Sequence, residues 1–403
     1  MNRTFGSICM IAGTAIGAGM IALPMTLAKL GVLGSLTLML GTWLVIYYSA
    51  LIGSELTLRV KENLSLNEIA HRLSGKGTAF AAMACVMILS YALIAAYLYG
   101  GSSITASICQ SLWGESPDPY NLIQYFSLAM MVVLVLGITW VDYINRLMFF
   151  ALIGILGVTI VGLGVTVNFQ SLPTLTDKTF DVSTWTVAIP VIFTSFGFQM
   201  MIPAMSGYLN RDSHLLKTAF LWGSLIPVAI YLAWTVSTLG TLTTHHIDSF
   251  NQVLSGTIDV GDFVKMLSSS ASWRHLQHLV WGVSFFAIIT SAFGVALGLI
   301  DLWKRLLAHR FQGVVLQSVA AFLTIVPSFI IALLTPGAFI KALGFAGMIL
   351  VVIAIVLPIY LLFKSDQNSK MTYFKITQHK GLRVLVLGLA FGLIACEIWN
   401  LYQ

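Results

Sequence analysis

Apolar runs of membrane-crossing length, parted by short polar or basic stretches, repeat from one end of the chain to the other. A helix needs about 20 predominantly apolar residues to cross the hydrocarbon of a bilayer. The pattern yields eleven such spans: Thr4–Lys29, Val32–Leu58, Thr78–Leu112, Leu122–Trp140, Leu147–Val167, Trp185–Leu209, Leu216–Leu242, Leu276–Leu302, Val314–Leu334, Ala338–Phe363 and Gly381–Tyr402. The expectation is an all-α membrane protein with one polytopic domain over residues 1–403.

Two of these spans are poor helices. Ala12–Pro24 carries Gly13, Gly17 and Gly19 in mid-span and closes on Pro24; Ile189–Pro203 carries Thr194, Ser195 and Gly197 and closes on Pro203. Glycine and proline are the weakest helix formers, and non-helical backbone at membrane depth survives only where protein buries it or it lines a cavity. On the first stretch alone, small residues serving close helix packing are an equal reading. The same arrangement five spans later favours true breaks, hence inverted repeats of five helices over about residues 1–167 and 185–363, with 381–402 an added helix.

Composition agrees with the pattern. The chain has 403 residues, 58% hydrophobic and 9% charged, with a mean hydropathy of +0.91, far from the balance of a soluble domain. Its net charge of +6 does not indicate nucleic acid, because the basic residues sit between the apolar runs, where they orient helices. Arg3, Arg59, Lys61, Arg72, Lys76, Arg146, Arg211, Lys217, Lys304, Arg305, Arg310, Lys364, Lys370, Lys375, Lys380 and Arg383 fall on one side; Lys29, Lys178, Lys265, Arg274 and Lys341 fall on the other. That bias puts the N-terminus in the cytoplasm and the C-terminus outside, with Lys364–Lys380 meeting anionic lipid headgroups. The longest outer segment, Thr243–Trp273, has short helical patterns of its own; a lid and a passive cover are both open. Cys9, Cys85, Cys109 and Cys396 lack metal-ligand spacing and read as packing residues.

Two facing breaks expose backbone dipoles of both signs, which suits a zwitterion. The Gly17, Ala18 and Gly19 amides are the expected carboxylate donors, beside Thr14 and Ala15. The Ile192 and Phe193 carbonyls with the Ser195 hydroxyl are the expected ammonium partners, beside Thr194 and Gln199. Phe193, Phe196 and Phe198 would wall an aromatic or large apolar side chain, and one of Tyr91, Tyr97 and Tyr99 is a candidate for the carboxylate. Glu55, Asp142 and Asp301 lie toward inner ends of spans and Glu397 toward the outer end of the last, as gates or anchors; Asp301 is expected to pair with Arg3 or Arg211. Paired catalytic carboxylates, a metal cluster or an activated nucleophile are not found, which argues against an enzyme, and no repeated polar ring supports a channel. No obligate protein partner is evident.

Arg3–Ser7 with Ala12–Pro24, Ile192–Phe198, Val141–Arg146 and Thr290–Asp301 together resemble the hydroxy/aromatic amino acid permease family, in particular its bacterial tyrosine-specific members. The resemblance covers essentially the whole chain. It implies a leucine-transporter-type fold in the bacterial inner membrane, importing an aromatic amino acid with a proton; a permease for serine or other neutral amino acids is the rival. Two positions depart from the family pattern: Leu152 where a lysine often stands, and Gln199 where a histidine often stands. Both remove titratable groups, so sodium stays open as the coupling ion. The broader fold implies that sodium would use the carbonyls of Gly13 and Ile16 and the hydroxyls of Thr290 and Ser291, since hard cations want several oxygens.

Overall fold

The computed structural model describes residues 3–60, 64–245, 247–256, 258–270, 274–368 and 371–402, the side chains of residues 119, 138, 139, 142, 245 and 368 excepted. Lys61, Lys370 and the Asp142 side chain, like residues 246, 257 and 271–273 of the outer segment, lie outside the described residues.

Helices make up the fold, and no strand occurs among the described residues. Among the described residues, nine helical stretches are long and apolar enough to cross a membrane, with the apolar Tyr120–Val135 beside them. In order these helices are α1 (Arg3–Ala15), α2 (Gly19–Leu27), α3 (Gly31–Val60), α4 (Leu66–Ser74), α5 (Lys76–Trp113), α6 (Pro119–Val135), α7 (Ile138–Gly164), α8 (Val182–Ser195), α9 (Ile202–Tyr208), α10 (Ser213–His245), α11 (Ile247–Ser255), α12 (Val260–Ser269), α13 (Arg274–Leu307), α14 (Gly313–Leu334), α15 (Phe339–Val351), α16 (Leu357–Asn368) and α17 (Lys380–Leu401).

One boundary differs from the hydropathy reading. The run Leu122–Trp140 stops at Val135 because Gly137 takes φ +102°, a left-handed conformation that only glycine adopts freely. The polar Val141–Arg146 therefore forms the first turns of α7 and not a loop. A second turn is set at Gly31, with φ +68°, where the Val32 and Leu33 amides donate to the carbonyls of Pro173 and Thr174 at 3.0 Å.

α1 lies along α10 and α2 along α8, while α5 runs through the middle against α13, α14 and α15. At one end of the molecule α12 docks on α5: Asp259 accepts from the Tyr99 hydroxyl at 3.2 Å and from Ser103, and the Gly261 amide donates to the Ser103 hydroxyl at 3.1 Å. Phe250, Val253, Val260, Phe263, Val264 and Leu267 are the buried side of this α11–α12 cover.

At the other end a charge network ties α3, α16 and α17 together. Glu55, fully buried, accepts from Arg59 Nε at 2.8 Å and from the amides of Tyr373 and Phe374 at 3.0 and 2.8 Å. Asp366 takes Arg59 and Arg383, each at 2.6 Å. Glu55 is thus an anchor for the connection into α17. Replacing one partner of a buried pair strands the other, so Glu55→Ala should cost about 3–5 kcal/mol, read as a lower unfolding midpoint of the detergent-purified protein. An unchanged midpoint would show that Arg59 finds solvent without it.

Candidate functional site

Both expected breaks are present, and they touch. α1 ends at Ala15, Ile16–Ala18 are non-helical, and α2 resumes at Gly19. α8 ends at Ser195, Phe196 and Gly197 are unwound, and a 3-10 turn over Phe198–Met201 leads into α9, which has Pro203 in its first turn. Gly19 faces Ser195 so closely that a Cβ there would sit 2.5 Å from the serine Cβ and Oγ and 3.0 Å from its Cα. A side chain at Gly17 would overlap the Ser291 hydroxyl of α13. The glycines are therefore required by contact as well as by the break.

The freed backbone groups are only partly claimed. Ala18 N–H donates to Ser291 Oγ at 3.1 Å, while the Gly17 amide meets no acceptor among the described residues. In the second break the Phe193 carbonyl accepts from the Phe196 amide at 3.3 Å and that of Thr194 from Gly197 at 3.1 Å, so the amide that would answer the Ile192 carbonyl in a continued helix is turned to Phe193. An open backbone donor and a carbonyl deprived of that amide thus stand in adjoining breaks.

Tyr231 joins the two, and it was not anticipated. Its phenol oxygen lies 2.5 Å from the Ala15 carbonyl oxygen and 2.8 Å from that of Ser195, the last residues of α1 and α8. A phenol has one proton to donate, so the pair of carbonyls outnumbers it. The ring is fully buried and meets Phe196 edge-on at 5.4 Å. Three residues on, Trp234 donates from Nε1 to the Met20 carbonyl at 2.7 Å. That carbonyl is an orphan because Pro24, four residues later, has no N–H to offer it.

The other expected site residues fall into two groups. Ser195 Oγ donates to the Val191 carbonyl at 2.9 Å but keeps lone pairs facing Gly19. Gln199 is 6% exposed and neither of its amide atoms has a hydrogen-bond partner. Tyr97 is buried within electrostatic reach of Tyr231. Thr14 is exposed, its hydroxyl donating to the Met10 carbonyl at 2.8 Å beside Met201 Sδ.

Elsewhere the structure spends the expected groups on packing. Thr194 donates to the Leu343 carbonyl at 2.7 Å. Phe198 stacks on Phe220 of α10 at 6.0 Å. Tyr91 is removed from the breaks: its hydroxyl donates to the Leu323 carbonyl at 2.8 Å and accepts from Trp303. Leu323 needs that donor because Pro327 lies four residues on. Thr290 and Ser291 bond back to the Phe286 and Ala287 carbonyls at 2.8 Å. Among the described residues, no ion pair of Asp301 with Arg3 or Arg211 is found. An apolar cavity of about 370 Å³ lies between α5, α6, α7 and α13, lined by Tyr97, Phe126, Met148 and Phe285 among others.

The Pro24–Trp234 relation can be tested by a double-mutant cycle. Trp234→Phe alone should lower stability by about 1–3 kcal/mol, the cost of a buried carbonyl left unpaired. Adding Pro24→Ala restores a helical N–H to Met20 and should recover much of that loss. Additive losses in the thermal midpoints would show that the indole bond carries no such role. Gly19→Ala should collide with Ser195 and lower stability, with Ser195→Gly as partial rescue; a single mutant as stable as the parent would place the two breaks farther apart.

Comparison with known proteins gives a consistent result. Residues 1–397 match the tryptophan/tyrosine permease family. The chain is 33% identical over 399 residues to tyrosine-specific transport system 1 of Haemophilus influenzae, spanning 99% of this chain and 96% of that one. It is 30% identical to the tryptophan-specific transport protein of Pseudomonas aeruginosa, over 96% and 92% of the two chains. To glutamine transporter 2 of Aliivibrio fischeri it is also 30% identical, over 97% and 98%.

Proposed function

Because the chain belongs to the tryptophan/tyrosine permease family, we propose that this multi-pass membrane protein imports tyrosine across the bacterial inner membrane by ion-coupled alternating access. The observation that carries the reading is the meeting of the two breaks at Gly19 and Ser195, with Tyr231 across the ends of both inward-pointing helix stubs. In this reading α1 with α2, and α8 with α9, each count as one broken span, giving eleven in all: two inverted repeats of five and α17 as the addition. The N-terminus is cytoplasmic and the C-terminus periplasmic.

The substrate carboxylate would take the free Gly17 amide, which sits at the positive start of α2, and the Gly19 amide beside it. The ammonium would take the Ile192 carbonyl and the lone pairs of Ser195 Oγ, at the negative end of α8. Phe193, Phe196 and Tyr97 would enclose the ring, and Gln199 supplies unpaired amide groups for a polar tip. What supports an inward-facing state is an asymmetry: every residue of α2 is buried, chiefly against α8 and α10, whereas Met10 and Thr14 of α1 and Gly294 and Gly298 of α13 are exposed. Asp301, free of Arg3 and Arg211 here, would close the inner mouth by pairing with one of them in the opposite state, and the cover would act as the outer lid.

The coupling ion in this reading is the proton. Sodium is the second reading, using the Gly13 and Ile16 carbonyls with Thr290 and Ser291; the contact of Ser291 with Ala18 puts α13 at the first break, where such a site would form. For the substrate, glutamine or another neutral amino acid is the alternative, favoured by the glutamine transporter relative.

Reconstituted vesicles should accumulate labelled tyrosine under an inward proton gradient, with tryptophan and phenylalanine competing and serine and glutamine not. Accumulation that follows a sodium gradient alone would replace the proton, and competition led by glutamine would replace the substrate.

A further inference from the structure

Two carboxylates are buried among the described residues, Glu55 and Glu397. Their surroundings are opposite in kind. Glu55 has an arginine and two backbone amides, the compensation that an ionised carboxylate requires. Glu397, on α17 and 3% exposed, has the Asn400 side-chain amide at 3.3 Å. Even that nitrogen is shared, since its shorter bond, 2.9 Å, goes to the Thr186 carbonyl. Thr186 needs it because Pro190, four residues later, offers no N–H.

Among the described residues, no cation compensates Glu397 from the elements chiefly packed against it. α8 and the π-helical turn Val352–Val356 contain no titratable side chain. α15 contributes Lys341, which is exposed and forms no ion pair with Glu397. The 3-10 turn Lys375–Gln378 contributes Lys375 beyond the far end of α17. On α17 itself the neighbour is Cys396, and Lys380 and Arg383 stand at the opposite end, Arg383 already held by Asp366 and the Thr377 carbonyl. Both carboxyl oxygens instead press on Gly344 of α15, where a Cβ would lie 2.8 and 2.9 Å from them. Burying a charge unpaired costs far more than burying the neutral acid.

We propose that Glu397 is the residue that carries the coupling proton. In the state seen here the neutral acid lets α17 close on α15 and α8; releasing the proton creates a charge that this packing cannot hold, and the helices part. The carboxylate takes its proton from hydronium in the water on one side of the membrane and passes it to a water molecule on the other, and no further reactant is needed. Glu397 acts at a distance from the substrate through one contact line. Gly344 follows Leu343, whose carbonyl takes the Thr194 hydroxyl at the end of α8, and Gly347 one turn on abuts the Pro190 carbonyl. The same α15–α8 face thus borders the carboxyl and the second break.

This inference rests on the proton-coupled reading above, and the test separates the two. Labelled tyrosine is followed into vesicles holding wild type or Glu397→Gln, both under a pH gradient and in tyrosine-for-tyrosine exchange without one. Wild type should concentrate tyrosine on the order of tenfold for one pH unit. The variant, a permanent neutral mimic, should exchange at a rate within about threefold of wild type while its accumulation ratio falls to unity and its uptake loses pH dependence. Wild type that ignores the gradient defeats the proton reading itself. A variant that accumulates like wild type, or one that loses exchange and tyrosine binding as well, overturns the role of Glu397 alone.

Discussion

A peptide N–H or C=O without a partner inside hydrocarbon costs several kcal/mol, and the arrangement of this protein follows from where its sequence creates such groups and what answers them. Four prolines illustrate the rule. Pro24, Pro190, Pro327 and Pro358 each leave the carbonyl four residues earlier without its helical donor. Trp234, Asn400, Tyr91 and Ser49, each from a neighbouring helix, donate to those carbonyls, at Met20, Thr186, Leu323 and Ala354. The Ala354 carbonyl also lies within the π-helical turn, which loosens the same stretch of helix. Each proline thereby pins two helices together with a specific polar contact, in a medium where apolar contact alone discriminates little.

The two breaks are the same constraint left partly unanswered. Ser291 takes Ala18, and Tyr231 stands between the last carbonyls of α1 and α8. Gly17 N–H keeps its capacity. A protein that answers four of its proline-orphaned carbonyls from neighbouring helices leaves the Gly17 amide open and turns the Phe196 amide away from Ile192 in the adjoining break, which suits a zwitterionic substrate. Contact between Gly19 and Ser195 brings those breaks together, and the charge network of Glu55, Arg59, Asp366 and Arg383 holds the far ends of the surrounding helices.

Much of this was legible in the sequence, for a local reason. Helix breaking depends on neighbours along the chain, so the interruptions at Ile16–Ala18 and Phe196–Gly197 could be placed from glycine, proline and small polar residues. The end of α6 was misplaced because Gly137 interrupts an otherwise unbroken apolar run, and hydropathy does not register a single φ angle. Long-range partners were not legible. Nothing near Tyr231, Trp234 or Asn400 marks them as donors to other helices, and Tyr91 looked like a site residue because a tyrosine in a span is polar whatever it binds. A signal was available in part: each proline predicts an orphan carbonyl at a known position, though not which helix answers it. Ser291 was anticipated as a cation ligand and is found holding the first break through its amide.

The central claim is that a backbone amide of the first break receives the substrate. Solid-state NMR on vesicles holding glycine-15N protein and carboxyl-13C tyrosine measures it directly through rotational-echo dephasing. The account predicts that the Gly17 nitrogen lies about 4 Å from the tyrosine carboxyl carbon, the separation of an N–H···O bond. Bound tyrosine that dephases no glycine nitrogen of the break would contradict it.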